Sequence, residues 1–209
     1  MDTVTAPAPV INDPRLVFDS VAHRYTLDGR ELVSVTQALT LAGMVDTRHF
    51  TEAARLRGTY LHAAIALCVE GDLDESTIDV LVRPYFDGFV KFLQDTKATI
   101  ECSEVRVCDP VLGYAGTLDA IVRWPNGVLT LIDWKSGAFP PMAGPQTAAY
   151  LRCARAMYPT GTNIARAGVH LRGDGTYRLV NLHQIVQDEH DWLAALRVVQ
   201  FQRRHHIGS

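Results

Sequence analysis

Apolar and polar positions change their spacing along the chain, and each change of period marks a predicted element. Residues 23–35 are two runs of alternating apolar and polar side chains that meet at Asp28-Gly29, a strong signal for a β-hairpin. In residues 50–72 the apolar side chains recur every three to four positions as far as Gly71, which predicts one long helix ending at that glycine.

The junction between the hairpin and the long helix contains a signal for a helix start. Ser34 and Gln37 have the spacing of a capping box, in which each side chain accepts a hydrogen bond from the other residue's backbone. This predicts a short helix that begins near Val35 and runs to about Leu41.

The rest of the chain continues the exchange of helical and strand patterns. A second helix is predicted over 75–94, with a break or kink at Pro84. Three strands follow at 98–109, 114–124 and 127–135, and a helix follows at 144–158. A second hairpin, 165–172 with 176–182, precedes a closing amphipathic helix at 188–202. This order predicts an α/β (α+β) fold with a central mixed sheet flanked by helices.

Size and composition fit one domain. The chain has 209 residues, of which 47% are hydrophobic, enough for an apolar core. We interpret residues 1–14 as a flexible or extended arm, 15–202 as the domain and 203–209 as a polar tail. No stretch approaches the roughly 18–20 apolar residues of a membrane helix, and no basic region precedes an apolar block at the N-terminus. We therefore expect a cytoplasmic protein without membrane contact.

Charge and cysteine content exclude few functions. The net charge is −3, with an acidic excess in residues 1–151 and a basic excess in residues 152–209. The basic part either meets phosphate or is an ordinary solvated surface. None of the four cysteines forms a CxxC pair, which indicates thiols in a reducing compartment rather than a zinc site.

Two of the predicted strands bring acidic and basic side chains together. Asp133 and Lys135 are two positions apart on one strand, so they face one side of the sheet while Trp134 faces the other. The turn between the strands sets Asp119 beside Asp133. Two buried carboxylates are costly unless a partner or a metal neutralises them, and Mg²⁺ prefers such oxygen ligands. The alternative is a plain salt bridge.

Further side chains on neighbouring elements agree with a site at this place. Gln146 and Tyr150 share one face of the following helix, whose N-terminus favours phosphate. Arg55 and His62 share a face of the long helix with Gly58. A glycine inside a helix costs about 1 kcal/mol relative to alanine, which indicates close approach of another backbone or a ligand.

Two of these residues are candidate metal ligands. His62 offers an imidazole, and Glu104, on the strand before Asp119, offers a third carboxylate. Each also has an ordinary structural explanation. His62 fits a hydrogen-bonded core histidine, Glu104 a residue that faces water, and the Gln146–Tyr150 pair a helix surface.

The set as a whole resembles the PD-(D/E)XK nuclease superfamily, and in particular its RecB-like, phage-type exonuclease branch. That branch has G-x-x-x-H on a helix, then G-x-x-D, D-x-K and Q-x-x-x-Y. Here these are GTYLH at 58–62, GTLD at 116–119, DWK at 133–135 and QTAAY at 146–150. The resemblance covers roughly residues 50–151. The N-terminal hairpin, with Phe18, His23 and Tyr25, also looks like phage-encoded members.

The resemblance implies a restriction-endonuclease-like core with a metal centre. It implies that Asp119 and Asp133 bind Mg²⁺ or Mn²⁺, with the backbone carbonyl of Trp134 and the imidazole of His62 as further ligands. It also implies that Lys135 is the catalytic lysine, acting together with the two aspartates.

The remaining candidates have supporting roles under the same resemblance. Gln146 and Tyr150 steady the site and the DNA backbone, and Glu104 matches an extra acidic position of some members. Arg55, on the helix of His62, is a further candidate for DNA support. No iron–sulfur cluster is expected, because no cysteine follows Cys153.

The expectation is a divalent-metal-dependent DNA exonuclease of phage or prophage recombination or DNA processing. Two alternatives stay open: a structure- or site-specific endonuclease of the same fold, and a DNA-binding module that does not cut. The expected partner is DNA. A single-strand annealing recombination protein is a further partner inferred from phage relatives, and ring-forming relatives make an oligomer compatible with the resemblance.

Overall fold

The structure is a computed structural model that describes residues 10–45, 51–182 and 186–207. Within these ranges it has five α-helices and nine strands. The helices are α1 (Val35–Leu41), α2 (Glu52–Glu70), α3 (Arg83–Thr96), α4 (Ala143–Ala154) and α5 (Gln187–Arg204). The strands are β1 (Val10–Ile11), β2 (Leu16–Asp19), β3 (Arg24–Leu27), β4 (Arg30–Ser34), β5 (Thr99–Asp109), β6 (Tyr114–Arg123), β7 (Leu129–Lys135), β8 (Ile164–Leu171) and β9 (Tyr177–Asn181).

One mixed sheet joins these strands. Its main path has the order β2-β3-β4-β6-β7-β8-β9, and β5 pairs with β6 outside that path and with β1. The β4–β6 and β7–β8 pairs are parallel and the others antiparallel. The predicted α/β fold with a central mixed sheet flanked by helices is confirmed.

Apolar side chains cover both faces of the sheet. On one face α1, α4 and α5 pack against strand residues such as Leu118 and Leu131. On the other face α2 and α3 pack against Ile132 and Trp134, and the Trp134 ring meets Phe89 and Phe92 edge-on. The prediction that Trp134 points away from the side of its charged neighbours is therefore confirmed, and the indole anchors β7 to α3.

Most of the predicted elements occur, with shifts at their ends that have local causes. The long helix ends at Gly71, whose φ of 81° is the left-handed conformation of a glycine cap. Pro84 lies in the first turn of α3 instead of inside a helix over 75–94, because a 3-10 turn at Glu75–Thr77 comes before it. The predicted capping box does not form. Ser34 makes no side-chain cap, and Gln37 instead donates to the carbonyl of His23.

The two ends of the chain are described in part. Residues 1–9 of the predicted arm lie outside the described residues, whereas Val10 and Ile11 pair with Cys108 and Val107 of β5. Within the predicted tail, α5 continues to Arg204, and residues 208–209 lie outside the described part. In the described ranges, no helix combines the length and the apolarity needed to cross a membrane.

Candidate active site

The candidate site lies where β6 changes its partner. The first residues of β6, Tyr114 and Ala115, pair in parallel with β4, and its last residues, from Ala120 to Arg123, pair with β7. Because β5 pairs along the opposite edge of β6, β4 and β7 share this edge and separate beside residues 116–119. The GTLD segment therefore lines a gap that only a branched sheet creates.

Asp119 closes this gap on the β7 side. Its Oδ2 accepts a hydrogen bond of 2.8 Å from the backbone N–H of Trp134. The β6–β7 pairing ends here, so the N–H of Trp134 would otherwise lack an acceptor, and the carboxylate supplies one. Asp119 is 7% exposed, and its other oxygen, Oδ1, lies 3.7 Å from Nδ1 of His62. The aspartate therefore joins the strand end to the helix that carries the histidine.

Glu104 reaches the same place from β5. Ser103 pairs with Ala120 and Val105 with Leu118, so Glu104 and Asp119 stand opposite each other. Glu104 has a φ of 50°, in the left-handed region that a non-glycine residue seldom adopts. Such conformations persist where the surroundings determine them, and they cluster at functional sites.

His62 connects the helix to both strands. Its Nδ1 lies 3.1 Å from Oε1 of Glu104, and its Nε2 lies 3.2 Å from the backbone carbonyl oxygen of Trp134. Both ring nitrogens therefore face oxygens. A neutral imidazole donates from one nitrogen only, so this geometry is fully satisfied either by an imidazolium or by a cation among the oxygens.

Asp133 and Lys135 form the second part of the site. Lys135 Nζ donates to Oδ1 of Asp133 at 2.7 Å and to Oε1 of Gln146 at 3.4 Å. Asp133 is 1% exposed, and its Oδ2 has no hydrogen-bond partner among the described residues. The lysine therefore neutralises one oxygen of a buried carboxylate and leaves the other unpaired.

Tyr150 packs over the glycine of the GTLD segment. A Cβ added to Gly116 would lie 2.6 Å from Cε1 of the Tyr150 ring, so a larger residue here would displace the ring. The Tyr150 hydroxyl has Gln146 and Thr36 as hydrogen-bonding neighbours. Gln146 and Tyr150, one turn apart on α4, thus reach the lysine and the floor of the gap.

Burial and mutual repulsion shift the ionisation of these groups. Burial raises the pKa of Asp133 to about 6, although the charge of Lys135 opposes that rise. Burial raises the pKa of Asp119 as well, against the charges of His62 and Lys135. Burial disfavours the charged His62, but the carboxylates of Asp119 and Glu104 outweigh it and raise the pKa of His62 to about 9. The carboxylates of the site are short of neighbouring positive charge, and protonated His62 supplies part of what is missing.

These residues fit a divalent cation. Among the described residues, the one set of three His, Cys, Asp or Glu ligand atoms within 4.8 Å of one another belongs to His62, Glu104 and Asp119. The carbonyl of Trp134 adjoins it through His62. Asp133 lies outside that set, but its unpaired buried oxygen is the kind of atom that a cation would satisfy. Mostly oxygen donors suit Mg²⁺ or Mn²⁺ better than soft metals.

Arg55 and Gly58 of α2 were expected at the site, but their contacts differ from those of His62 on the same helix. Arg55 is 64% exposed and pairs with Glu52 of its own helix at 2.6 Å, so no described contact joins it to the acids. A Cβ on Gly58 would meet only Ser136 Oγ, at 3.9 Å. Close approach of another backbone is therefore not the reason for this glycine, which lines the same cleft as His62 and Asp119.

Sequence reasoning missed one contact and gave little weight to a group of cleft residues. Arg57 donates to the backbone carbonyl of Ser136, next to Lys135, and its guanidinium lies 4.8 Å from the centre of the Tyr85 ring. A cleft of about 460 Å³ is lined by His62, Glu104, Asp119 and Gln146 and also by Phe18, His23 and Tyr25 of the hairpin. No local motif marks Arg57, whereas the hairpin residues had appeared only through the family resemblance.

Comparisons with known proteins add little to this geometry. No protein-family model matches the chain, and no curated protein sequence matches it significantly. One similar solved structure is the crystal structure of LHK-Exo in complex with dAMP, with 15% sequence identity and a TM-score of 0.34, covering 84% of this chain and 93% of that one. A likeness this low carries no conclusion about activity.

Proposed function

We propose that this chain is a divalent-metal-dependent DNA nuclease with a restriction-endonuclease-like core of the PD-(D/E)XK type. The observation that supports the proposal most is the incomplete charge balance of Asp133, a buried carboxylate with one oxygen on Lys135 and the other unpaired. Leaving a buried charged oxygen without a partner is costly, so a protein keeps such a group where a ligand completes it. The four ordered motifs supply the reaction class.

The metal ligands in this proposal are His62, Asp119, Asp133, the carbonyl of Trp134 and Glu104. When bound, a divalent cation neutralises charge on a phosphate and lowers the pKa of water. The protein's part is to hold these donors in place before the substrate arrives. The bond from Trp134 N–H to Asp119 and the contacts of both His62 nitrogens do this.

Lys135 acts in this proposal as a donor of charge and hydrogen bonds. Burial disfavours its charge, but in the absence of a cation Asp133 and Asp119 outweigh that effect and raise its pKa. A protonated lysine cannot take the proton of an attacking water. It can hold a water or a phosphate oxygen and stabilise the negative charge that develops there. Oε1 of Gln146 also accepts from the ammonium, at 3.4 Å.

The mode of action in this proposal is exonucleolytic, in phage or prophage recombination or DNA processing. That choice follows the resemblance to the RecB-like branch. A single-strand annealing protein as partner, an oligomer and a cytoplasmic location belong to the same proposal. Arg55 and Tyr150 are proposed to support the DNA and the site.

The test is incubation of linear and circular DNA, single- and double-stranded, with Mg²⁺, Mn²⁺ or EDTA. We expect cleavage of linear DNA with either ion and none in EDTA. Asp119→Asn should reduce cleavage at least about 10³-fold while leaving the thermal unfolding curve cooperative. The matched control is Asp95→Asn, an exposed aspartate paired with Lys91 on α3, which should cleave like the parent protein.

Other outcomes separate the rival functions. Cleavage of covalently closed circles would replace the exonuclease by an endonuclease. A DNA complex in Ca²⁺ without products in Mg²⁺ or Mn²⁺ would favour a module that binds without cutting. Undiminished Mg²⁺-dependent activity in Asp119→Asn would overturn the assignment of the site.

A further inference from the structure

The cleft is lined by two chemically different groups of side chains. His62, Glu104 and Asp119 supply charged groups that suit a cation, which in turn attracts phosphate. Phe18, His23 and Tyr25 supply aromatic rings. Water takes about 30 Å³ per molecule, so a cation with a few waters fills only part of a cleft of about 460 Å³. The remaining volume can hold a further part of a substrate.

The three rings form a continuous aromatic surface, which we call the aromatic wall (Phe18, His23 and Tyr25). Phe18 and Tyr25 are cross-strand partners in the hairpin and stack with ring centres 4.5 Å apart and planes at 26°. The His23 ring meets Phe18 edge-on at 5.2 Å. Tyr25 is buried, Phe18 is half-buried and His23 is exposed, so the wall runs from the core to the mouth of the cleft.

Several hydrogen bonds fix the aromatic wall relative to the acids. Asp19 Oδ1 accepts from the backbone N–H groups of Val21 and Ala22, both at 2.9 Å, which holds the turn before His23. Gln37 of α1 donates to the carbonyl of His23 at 3.1 Å. The hydroxyl of Tyr25 lies 3.0 Å from Oγ1 of Thr117, two residues before Asp119. The wall is therefore tied to the strand that carries a metal ligand.

We propose that the aromatic wall is a nucleobase subsite, in which the exposed His23 ring stacks on a base and Phe18, whose plane is nearly perpendicular to it, contacts the edge of that base, while the DNA backbone lies at the acidic residues. Nucleotides pair a charged phosphate with a flat apolar base, and the cleft presents groups for both. Stacking on aromatic side chains tolerates every base and contributes to binding more than to base selection. This inference rests on the proposed function and names how that site positions its substrate.

The test uses oligonucleotides with one 2-aminopurine placed in turn at each of the first few positions from an end. Binding is measured in Ca²⁺ by anisotropy, and stacking by quenching of 2-aminopurine fluorescence. We expect strong quenching at one position with the parent protein. His23→Asn and Phe18→Leu should each weaken that quenching and raise the Kd by roughly tenfold. The KM for cleavage in Mg²⁺ should rise alike, with a smaller change in kcat.

The variants keep the fold testable. Asparagine tolerates the φ of 51° found at His23, and leucine preserves apolar packing of residue 18 against the small core of the hairpin. Val21→Ala is the matched control, because Val21 lies in the same turn at 97% exposure and does not line the cleft. It should behave like the parent protein. Thermal unfolding curves identify any variant that has lost its hairpin.

The outcomes distinguish this inference from the proposed function. If DNA binds and is cleaved but no position is quenched, or if quenching persists in both variants, the subsite is wrong and the nuclease stands. If stacking occurs in Ca²⁺ but no ion supports cleavage, the nuclease is wrong and the subsite stands. Absence of any DNA binding overturns both.

Discussion

Asp109 and Asp133 are both buried aspartates at or near the end of a strand, with exposures of 3% and 1%, yet their surroundings differ. Oδ1 of Asp109 accepts from the backbone N–H groups of Val111 and Leu112, and its Oδ2 accepts from Arg152 at 2.8 Å. Every oxygen of Asp109 is used. Asp133 has the single partner Lys135 and one unpaired oxygen.

The difference shows that burial of a carboxylate does not by itself mark a functional site. Asp109 is neutralised by one arginine and closes a turn, so it stabilises the fold. Asp133 belongs to a cluster in which Glu104, Asp119 and Asp133 outnumber the charges of His62 and Lys135. A cluster with an acidic excess and an unsatisfied oxygen lowers stability unless a cation completes it, which is typical of a site kept for function.

The largest expected effect is a difference in cleavage activity between variants of the two aspartates. We expect Asp133→Asn to reduce Mg²⁺-dependent cleavage at least about 10³-fold, because it removes a proposed ligand and the partner of Lys135. Asp109→Asn should keep cleavage near the parent value and lower the free energy of unfolding by about 1 kcal/mol. Cleavage rates and denaturant unfolding in EDTA measure both. The comparison breaks if Asp109→Asn is the inactive variant.

A smaller effect should appear in the pH dependence of stability in EDTA. The pKa of Asp133 is raised from 3.8 to about 6 in the folded protein, so folding favours its protonated form. The cost of its charge is therefore fully present above pH 6 and is relieved as the pH falls toward 3.8. The parent protein and Asp109→Asn should gain about 1 kcal/mol of stability relative to Asp133→Asn as the pH falls from about 7 to 5, with a further gain as it approaches 3.8.

His62 shifts stability in the same direction at higher pH. Its folded pKa of about 9 lies above the ordinary 6.5, so its contribution is fully present below pH 6.5 and is lost as the pH rises through 9. Denaturant midpoints measured across these windows check both signs. Identical pH profiles for the parent protein and Asp133→Asn would contradict the assigned charge balance.

The smallest effect is expected at Arg55, which contacts neither Asp109 nor the acidic cluster around Asp133. Its pairing with Glu52 is exposed, so Arg55→Gln should change the free energy of unfolding by less than about 0.5 kcal/mol. If Arg55 meets DNA phosphate as proposed, the variant should raise KM severalfold, leave kcat unchanged and reduce the salt dependence of binding by about one charge. Unchanged binding at low salt would remove Arg55 from the DNA-contacting surface.

The sequence by itself determined the local elements and part of the candidate site. Periodicity and turn residues placed the helices and strands, and the strand period of two put Asp133 and Lys135 on one side with Trp134 on the other. These features depend on neighbours a few residues apart, so a short window of sequence contains them. The predicted capping box does not form, because the side chain of Gln37 donates to the backbone carbonyl of His23. That contact joins two separate elements and has no local sequence signal.

Only the tertiary structure decided which distant residues meet. His62 lies against Glu104 and Trp134, separated from them by 42 and 72 residues, because α2 packs across the strands at the point where β6 changes partner. The left-handed backbone at Glu104 and the convergence of the hairpin's rings on the same cleft depend on strand order and register. Pairing across a sheet is set by the summed packing of the whole core, which no local pattern encodes.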